Sequence, residues 1–476
     1  MQNKIDQVTA AVLKKITPTK KERFKIEAIA KKLEAKVASA SGEHGVKAQV
    51  RVEGSVAKDT WISGEPDIDI FMQLPTTMPR ESLGKIGLKI ARKATHGSKQ
   101  IERFAEHPYL EAFVEGTRVN IVPCYATKPG IWLSATDRTP FHTDYIKNHL
   151  SSQMQNQVRL LKKFMKGIDV YGAEIKIGGF SGYLCELLIL HYKSFLNTLR
   201  AFADYKHQLI IDIEEHYKNR ETELRLLFKE PLVIIDPVDK ARNVASAVRP
   251  QRLYTFKAAA RHFLEAPNYS FFYPRMTVPL SAKKLEETLK KRGSSLIFVA
   301  FAKVKAVPDV LWGQLYKTLR SLDRLLEFND FRILRSSAWS DEDNLNIFAI
   351  ELEQALLPPI KKHLGPPLEK TEECKQFIAK YLNNPLVVCG PYVDEGRWIT
   401  DIKRRHVNAA DLLNAKLEDG GRSAGVADQI SHVLKKDFKI LVNEEIVEIY
   451  RRNHEFAVFL TEFLSGKPKW LEPTKA

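Results

Sequence analysis

Apolar residues recur at helical spacing early in the chain, at Phe24, Ile26, Ile29, Ala30, Leu33 and Val37. Ahead of them, Thr19-Lys20-Lys21-Glu22 has the S/T-x-x-E form that caps a helix start. The helix is expected to end near Ser41-Gly42. Val46, Ala48, Val50 and Val52 then alternate with polar residues, which predicts a strand, and Asp67–Met72 predicts a second. Leu83–His96 has a helical period. Leu110–Val114 and Arg118–Val122 are expected to pair as a hairpin about a Gly116-Thr117 turn. The sum is a small mixed sheet flanked by helices, up to about residue 145.

From Asn148 to about Tyr217 the period is helical, with Leu160, Leu161, Phe164, Leu184, Leu187 and Leu188 as apolar stripes. Val233–Asp236 suggests a short strand ending at a proline turn. Beyond residue 266 the order is β-α-β-β: Ser295–Lys303, Val310–Phe328, Phe331–Ser337 and Asn344–Glu351. That order resembles a ferredoxin-like or RNA-binding sheet, although the aromatic signature of RNA-recognition motifs is absent. From His406 onward the chain is expected to be helical and basic. The fold class is therefore α+β in three parts: a catalytic head (1–147), a helical central domain (148–265) and a C-terminal region with a helical tail (266–476).

Composition narrows the class. With 44% hydrophobic and 28% charged residues, the chain is too apolar to be disordered. It contains no run near the roughly 18 apolar residues of a membrane span. The first residues have no apolar signal-like stretch. Four scattered cysteines without a CxxC pair exclude a zinc ribbon or disulfide framework, and suit a cytoplasmic setting. Lys plus Arg outnumber Asp plus Glu by 74 to 58, a formal charge of +16, which points to a polyanionic partner such as nucleic acid. A generally basic chain with no such partner is the bland alternative.

The chemistry concentrates in Gly54-Ser55, eleven residues, then Asp67-Ile68-Asp69. Strand alternation puts Asp67 and Asp69 on one face. Two adjacent carboxylates repel unless a cation sits with them, and hard oxygens with substrate phosphates suit Mg²⁺. Gly54 allows close approach of backbone to phosphate, and Ser55 offers a hydroxyl and an N–H. D-x-D or G-S alone is often merely solvated. The joint pattern after a strand in a basic chain points to nucleotidyl transfer.

These segments, with Val52–Trp61, Val122-Pro123-Cys124-Tyr125, Asp137–His142, Tyr171–Glu174, Gly179–Glu186, Asp236–Asp239, Gly390–Tyr392 and Gly396–Trp398, resemble the archaeal-type (class I) CCA-adding enzymes, tRNA nucleotidyltransferases of the polymerase-β superfamily. The resemblance spans most of the chain. It implies template-independent addition of C, C and A to the tRNA 3′ end from CTP and ATP. Asp67 and Asp69 would bind the catalytic Mg²⁺ ions. Ser55 and Lys58 would contact the triphosphate, Lys58 standing where the family usually has arginine. Thr139, His142, Lys162 and Tyr171 match positions around the nucleotide, and Arg242 matches an arginine that reads the base edge. Read without the family, His142 would cap a turn, Lys162 would lie on a solvated helix face, Tyr171 would be a core aromatic and Arg242 would pair with Asp239. The tRNA acceptor stem would be held by basic clusters such as Lys290-Lys291-Arg292 and Lys403-Arg404-Arg405. A membrane partner is not expected. The oligomeric state stays open, a homodimer being compatible.

The family's third metal-binding carboxylate would fall at Asn120. An amide is neutral and cannot act as a base. Either another acid substitutes, with Glu115 or Glu111 expected on the same hairpin face, or the enzyme is attenuated, or the register differs. The competing functions are another terminal nucleotidyltransferase, such as a poly(A) polymerase or oligoadenylate-synthase-like enzyme, and a catalytically impaired tRNA-binding variant.

Overall fold

Period-two alternation yields a five-stranded sheet: β1 (Gln49–Glu53), β2 (Asp67–Leu74), β3 (Lys99–Phe104), β4 (Pro108–Val114) and β5 (Thr117–Tyr125). The strand order is β1-β2-β5-β4-β3, with β2 and β5 parallel and the other neighbours antiparallel. In this computed structural model, which describes residues 2–104 and 107–471, the sheet belongs to the first of two compact units. Helices Lys20–Glu43 and Arg80–Ala94 cover one face, where Ile26, Ile29, Leu33, Leu88 and Ile90 pack on Ile68, Ile70, Val119 and Ile121. Burying each such side chain stabilises by about 1.5–3 kcal/mol. The opposite face carries Asp67 and Asp69, followed along the strands by a small separate cluster of Phe71, Val122 and Cys124. The first of these helices opens on the expected capping box: the Glu22 N–H donates to Thr19 Oγ1 (3.2 Å) and the Thr19 N–H to Glu22 Oε2 (2.7 Å).

The hairpin corrects one expectation. Val114 pairs with Thr117, so the turn residues are Glu115 and Gly116, at φ +50° and +77°, not Gly116-Thr117. A tight turn with two positive φ values matches the strands' twist, and that requirement shifts the register. Glu111 lies opposite Asn120, while Glu115 is carried out of the strand and pairs with Lys32 at 2.9 Å.

The first unit runs to Met276 and takes in the segment from Lys467. After the sheet come helices Thr139–His149, Ser152–Gly167, Gly182–Tyr192, Phe195–Asp204 and Pro250–Glu265. Their core centres on Phe164, ringed at 5.5–6.2 Å by Phe195, Phe256, Phe263, Phe271 and Phe272. Trp470 stacks on Phe271 at 5.3 Å. A small sheet of β6 (Leu209–Ile211), β7 (Leu232–Asp236) and β8 (Asp239–Asn243) ends in the expected proline turn.

The second unit, Thr277–Gly466, holds the β-α-β-β order: β9 (Ser295–Ala302), helix Pro308–Phe328, β10 (Ile333–Ser340) and β11 (Leu345–Leu352). Two features were not expected. Residues 360–403 form a second sheet of β12 (Ile360–Pro367), β13 (Val387–Asp394) and β14 (Arg397–Lys403), backed by helix Thr371–Tyr381. The stretch expected to be wholly helical contains β15 (Lys439–Val442), which pairs with β9 to give the order β10-β11-β9-β15. That is the ferredoxin-like arrangement, with the second sheet inserted before its last strand. Among the described residues no helix is long and apolar enough to cross a membrane, and all four cysteines are free.

Glu53, at the end of β1 and opposite Asp69, is fully buried with Arg51 Nε 2.9 Å away. Burial pushes its carboxyl up to about 7. Between the ordinary glutamate value and about pH 7 the folded state thus binds the extra proton, so stability falls as pH rises through that window. The deficit above it is about 3 kcal/mol at most. Glu53→Gln should therefore melt higher than the parent at pH 8, and the advantage should vanish by pH 5 in thermal melts.

Candidate active site

Helix Ser152–Gly167 buries Val158, Leu161, Phe164 and Met165 and carries a second, polar stripe at Gln155, Arg159, Lys162 and Lys166. That spacing of four, three and four residues keeps all four on one face. The stripe grips the segment between β1 and β2. Gln155 Nε2 donates to the Lys58 carbonyl (3.2 Å). Arg159 Nε donates to the Trp61 carbonyl (2.9 Å), and its Nη2 donates to the carbonyl and carboxylate of Asp59 (2.5 and 2.6 Å). Lys162 Nζ donates to the Thr60 carbonyl (3.2 Å), and Lys166 pairs with Glu65. The head and the helical part thereby enclose a cavity of about 500 Å³.

On the head side, Asp67 and Asp69 both face this cavity. Gly54 follows β1 at φ +70°, and a Cβ there would lie 2.0 Å from Asp69 Oδ2, so only glycine fits. Asn120 stands beside Asp69 in register, and its Nδ2 donates to Asp67 Oδ1 (3.1 Å) and Asp69 Oδ1 (2.9 Å). Arg118, two pairs along and opposite Asp67, places Nε 3.1 Å from Asp67 Oδ1 and also donates through Nη2 to Oδ2. Asp67 in turn holds the Arg118 guanidinium above its ordinary pKa. Burial first, and the neighbouring Asp67 second, push Asp69 up to about 7. Two acids under that strain form an oxygen-rich donor pair that suits a hard divalent cation. No group of three His, Cys, Asp or Glu side chains at metal-binding spacing occurs among the described residues. Glu111, in the same cross-strand row, accepts from Arg103 Nη2 (2.9 Å).

Ser55, Lys58, Thr139 and His142 from the head and Lys162 and Tyr171 from the helical part all line the cavity. Lys162 is 3% exposed, so it does not lie on a solvated face. Asp137 secures the loop before Thr139. Its carboxylate accepts from the N–H groups of Tyr125 (2.8 Å), Leu133 (2.9 Å) and Ser134 (2.7 Å). His142 stacks on Tyr183 at 4.0 Å. Arg242 is absent from the cavity wall, but Nη1 donates to Asp236 Oδ2 (2.7 Å), the oxygen that also meets His142 Nε2 (2.8 Å). Tyr183 Oη donates to Asp236 Oδ1 (3.1 Å). Asp239, the partner expected for Arg242, instead pairs with Arg138 at 2.7 Å. Burial pulls the His142 pKa down against the pull of Asp236, which favours a neutral imidazole.

The sequence reading quoted Glu186 and Asp236 within matching segments but gave them no role, and it passed over Arg159. One signal was available: Glu186 is the lone acid in the otherwise apolar helix Gly182–Tyr192. An acid in such a helix is buried only when partnered.

A cleft with paired strand acids on one wall and buried lysines on the other defines a nucleotidyltransferase. The nucleotidyltransferase domain model matches residues 6–142, the second domain of tRNA nucleotidyltransferase matches 156–273, and the C-terminal domain of the CCA-adding enzyme matches 292–443. The CCA-adding enzyme of Methanosarcina acetivorans is 36% identical over 462 residues, covering 96% of this chain and 98% of the relative. Those of Haloarcula marismortui and Methanopyrus kandleri are each 33% identical, covering 98% of this chain and 100% and 98% of theirs. The chain belongs to the CCA-adding enzyme family of tRNA nucleotidyltransferases.

Asn120→Asp would bring a third carboxylate against Asp67 and Asp69 in place of a shared donor. Without divalent metal this variant should be less stable than the parent by about 2 kcal/mol. Added Mg²⁺ or Mn²⁺ should raise its melting temperature more than the parent's.

Proposed function

We propose that this chain adds C, C and A to the 3′ end of tRNA from CTP and ATP, without a nucleic-acid template. The reading is carried by Asp67 and Asp69 facing one cavity together with Lys58, Lys162 and His142. Asp67 and Asp69 would hold the divalent metal, which we take to be Mg²⁺. When bound there, such a cation neutralises triphosphate charge and makes a 3′-hydroxyl more acidic. Gly54 and Ser55 present backbone and hydroxyl to the phosphates. Lys58 and Lys162 offset their charge. His142 and Tyr171 flank the nucleotide, and Arg242 reaches the base edge. The tRNA 3′-hydroxyl attacks the α-phosphate in line, and pyrophosphate leaves. The head (1–147) and helical part (148–265) supply the reaction site. The basic C-terminal region (266–476) holds the acceptor stem through backbone contacts, so affinity falls with salt.

A second reading, an attenuated transferase, is favoured by one observation: Asn120 meets both acids through its N–H₂ group. A tenfold or greater gain of incorporation in Asn120→Asp would support it, and an unchanged or lower rate would count against it.

The parent should add CMP to tRNA lacking CCA and AMP to tRNA ending in CC, with no long A tails. Long tails would point to a poly(A)-type enzyme. Asp69→Asn should lower incorporation by about 100-fold or more while tRNA binding persists.

A further inference from the structure

At one end of the cavity, two ammonium groups share a single carboxylate. Glu186 Oε2 accepts from Lys58 Nζ (2.5 Å) and Oε1 accepts from Thr60 Oγ1 (2.6 Å), with Lys162 Nζ 3.4 Å from Oε1. Lys162 also donates to Thr60 Oγ1 (3.1 Å). Exposure is 0% for Glu186 and Thr60, 3% for Lys162 and 8% for Lys58. Yet Lys58, Lys162 and Glu186 all line the cavity, so what exposure the lysines keep is toward it.

A structural ion pair buried for its own sake balances one charge with one charge. Here the triad carries a surplus of +1 in a place largely closed to water. Nearby charges do not remove that surplus. Asp67 is engaged by Arg118, Glu65 by Lys163 and Lys166, and Asp236 by His142 and Arg242, while Asp69 and Glu53 attract Lys58 without forming an ion pair with it. Burial pushes Lys162 toward the neutral amine, and Glu186 opposes that. Lys58 and Lys162 bring Glu186 itself below the ordinary carboxylate range although burial pulls the other way. The carboxylate therefore pairs with both lysines and fixes them in place, and an anion entering the cavity completes the balance.

We propose that Glu186 is a positioning residue for the nucleoside triphosphate, holding Lys58 and Lys162 as a preformed pair of ammonium groups that the polyphosphate chain completes. The proposal rests on reading the cavity as the nucleotide site. Although it borders the cavity, Glu186 is fully buried with both oxygens engaged, so it acts on the ligand through the two lysines and its effect should grow with the number of phosphates. Thr60 serves the same end by tethering Oε1 from outside the cavity lining.

The test is equilibrium dialysis of ATP, ADP and AMP against the full-length protein with Mg²⁺, with thermal melts to verify folding. Glu186→Gln should weaken ATP about tenfold or more, ADP less, and AMP by no more than about twofold. Thr60→Val keeps all three charges and removes the tether, so ATP should weaken about threefold and AMP hardly at all. If Glu186→Gln does not fold, Thr60→Val decides. An equal loss for all three nucleotides, or no loss for ATP, overturns the role of Glu186 while the nucleotide reading stands. A parent that binds no nucleotide overturns both. A parent that binds ATP in the graded way yet adds nothing to tRNA overturns the proposed reaction alone.

Discussion

The site depends on a buried arginine. Arg159 is 1% exposed and donates to the carbonyls of Trp61 and Asp59, the Asp59 carboxylate and the Asn156 side chain. A guanidinium keeps its charge where an amine would lose it, so it can be enclosed if every N–H finds an oxygen. The carbonyls it takes belong to a segment with no regular partner, whose backbone needs such donors. With Lys162 and Lys166 extending the same stripe, the segment between β1 and β2 is fixed against a helix rather than left as a loop. The β2 acids and the helix lysines are thereby held on opposite walls of one space, which neither the sheet nor the helices could form alone.

Charge around that space is arranged in shared rather than simple pairs. Asn120 serves two carboxylates, Glu186 serves two ammonium groups, and Asp236 serves a histidine and an arginine together. Of these groups, Asp67, Asp69, Lys58, Lys162, Glu186 and His142 line the cavity. A ligand with several negative oxygens and an accompanying cation answers both the acidic and the basic side at once. The His142 ring, its pKa drawn down by burial and its face stacked on Tyr183, adds a flat surface that polyphosphate does not need but a nucleobase or ribose can use.

Local pattern carried much of this. The alternation about Ile68 put Asp67 and Asp69 on one face, and the Thr19–Glu22 box marked a helix start that the hydrogen bonds reproduce. Local pattern failed where a distant contact decides. The Lys58–Glu186 bond joins residues 128 apart, and Arg159 meets Asp59 across 100. Nothing near Lys162 marked it as buried, because its neighbour Lys163 has the same chemistry and a different fate. The hairpin register turned on whether a glutamate would adopt positive φ, which tertiary context settled. The second sheet escaped notice because β12 reads Lys-Lys-His at its centre and Gly-Pro-Pro at its end, which blurs any alternation.

The late strand β15 has a consequence for biogenesis. Its partner β9 is complete by Ala302, yet the hydrogen-bonding edge it covers waits for Lys439–Val442. Trp470 likewise reaches an aromatic core whose other members end at Phe272. During vectorial synthesis both units must therefore wait for distal sequence, one with a naked strand edge and the other with an unfilled apolar slot. Such intermediates are prone to self-association, so expression yield should depend on translation speed and chaperone supply more than the finished fold would suggest.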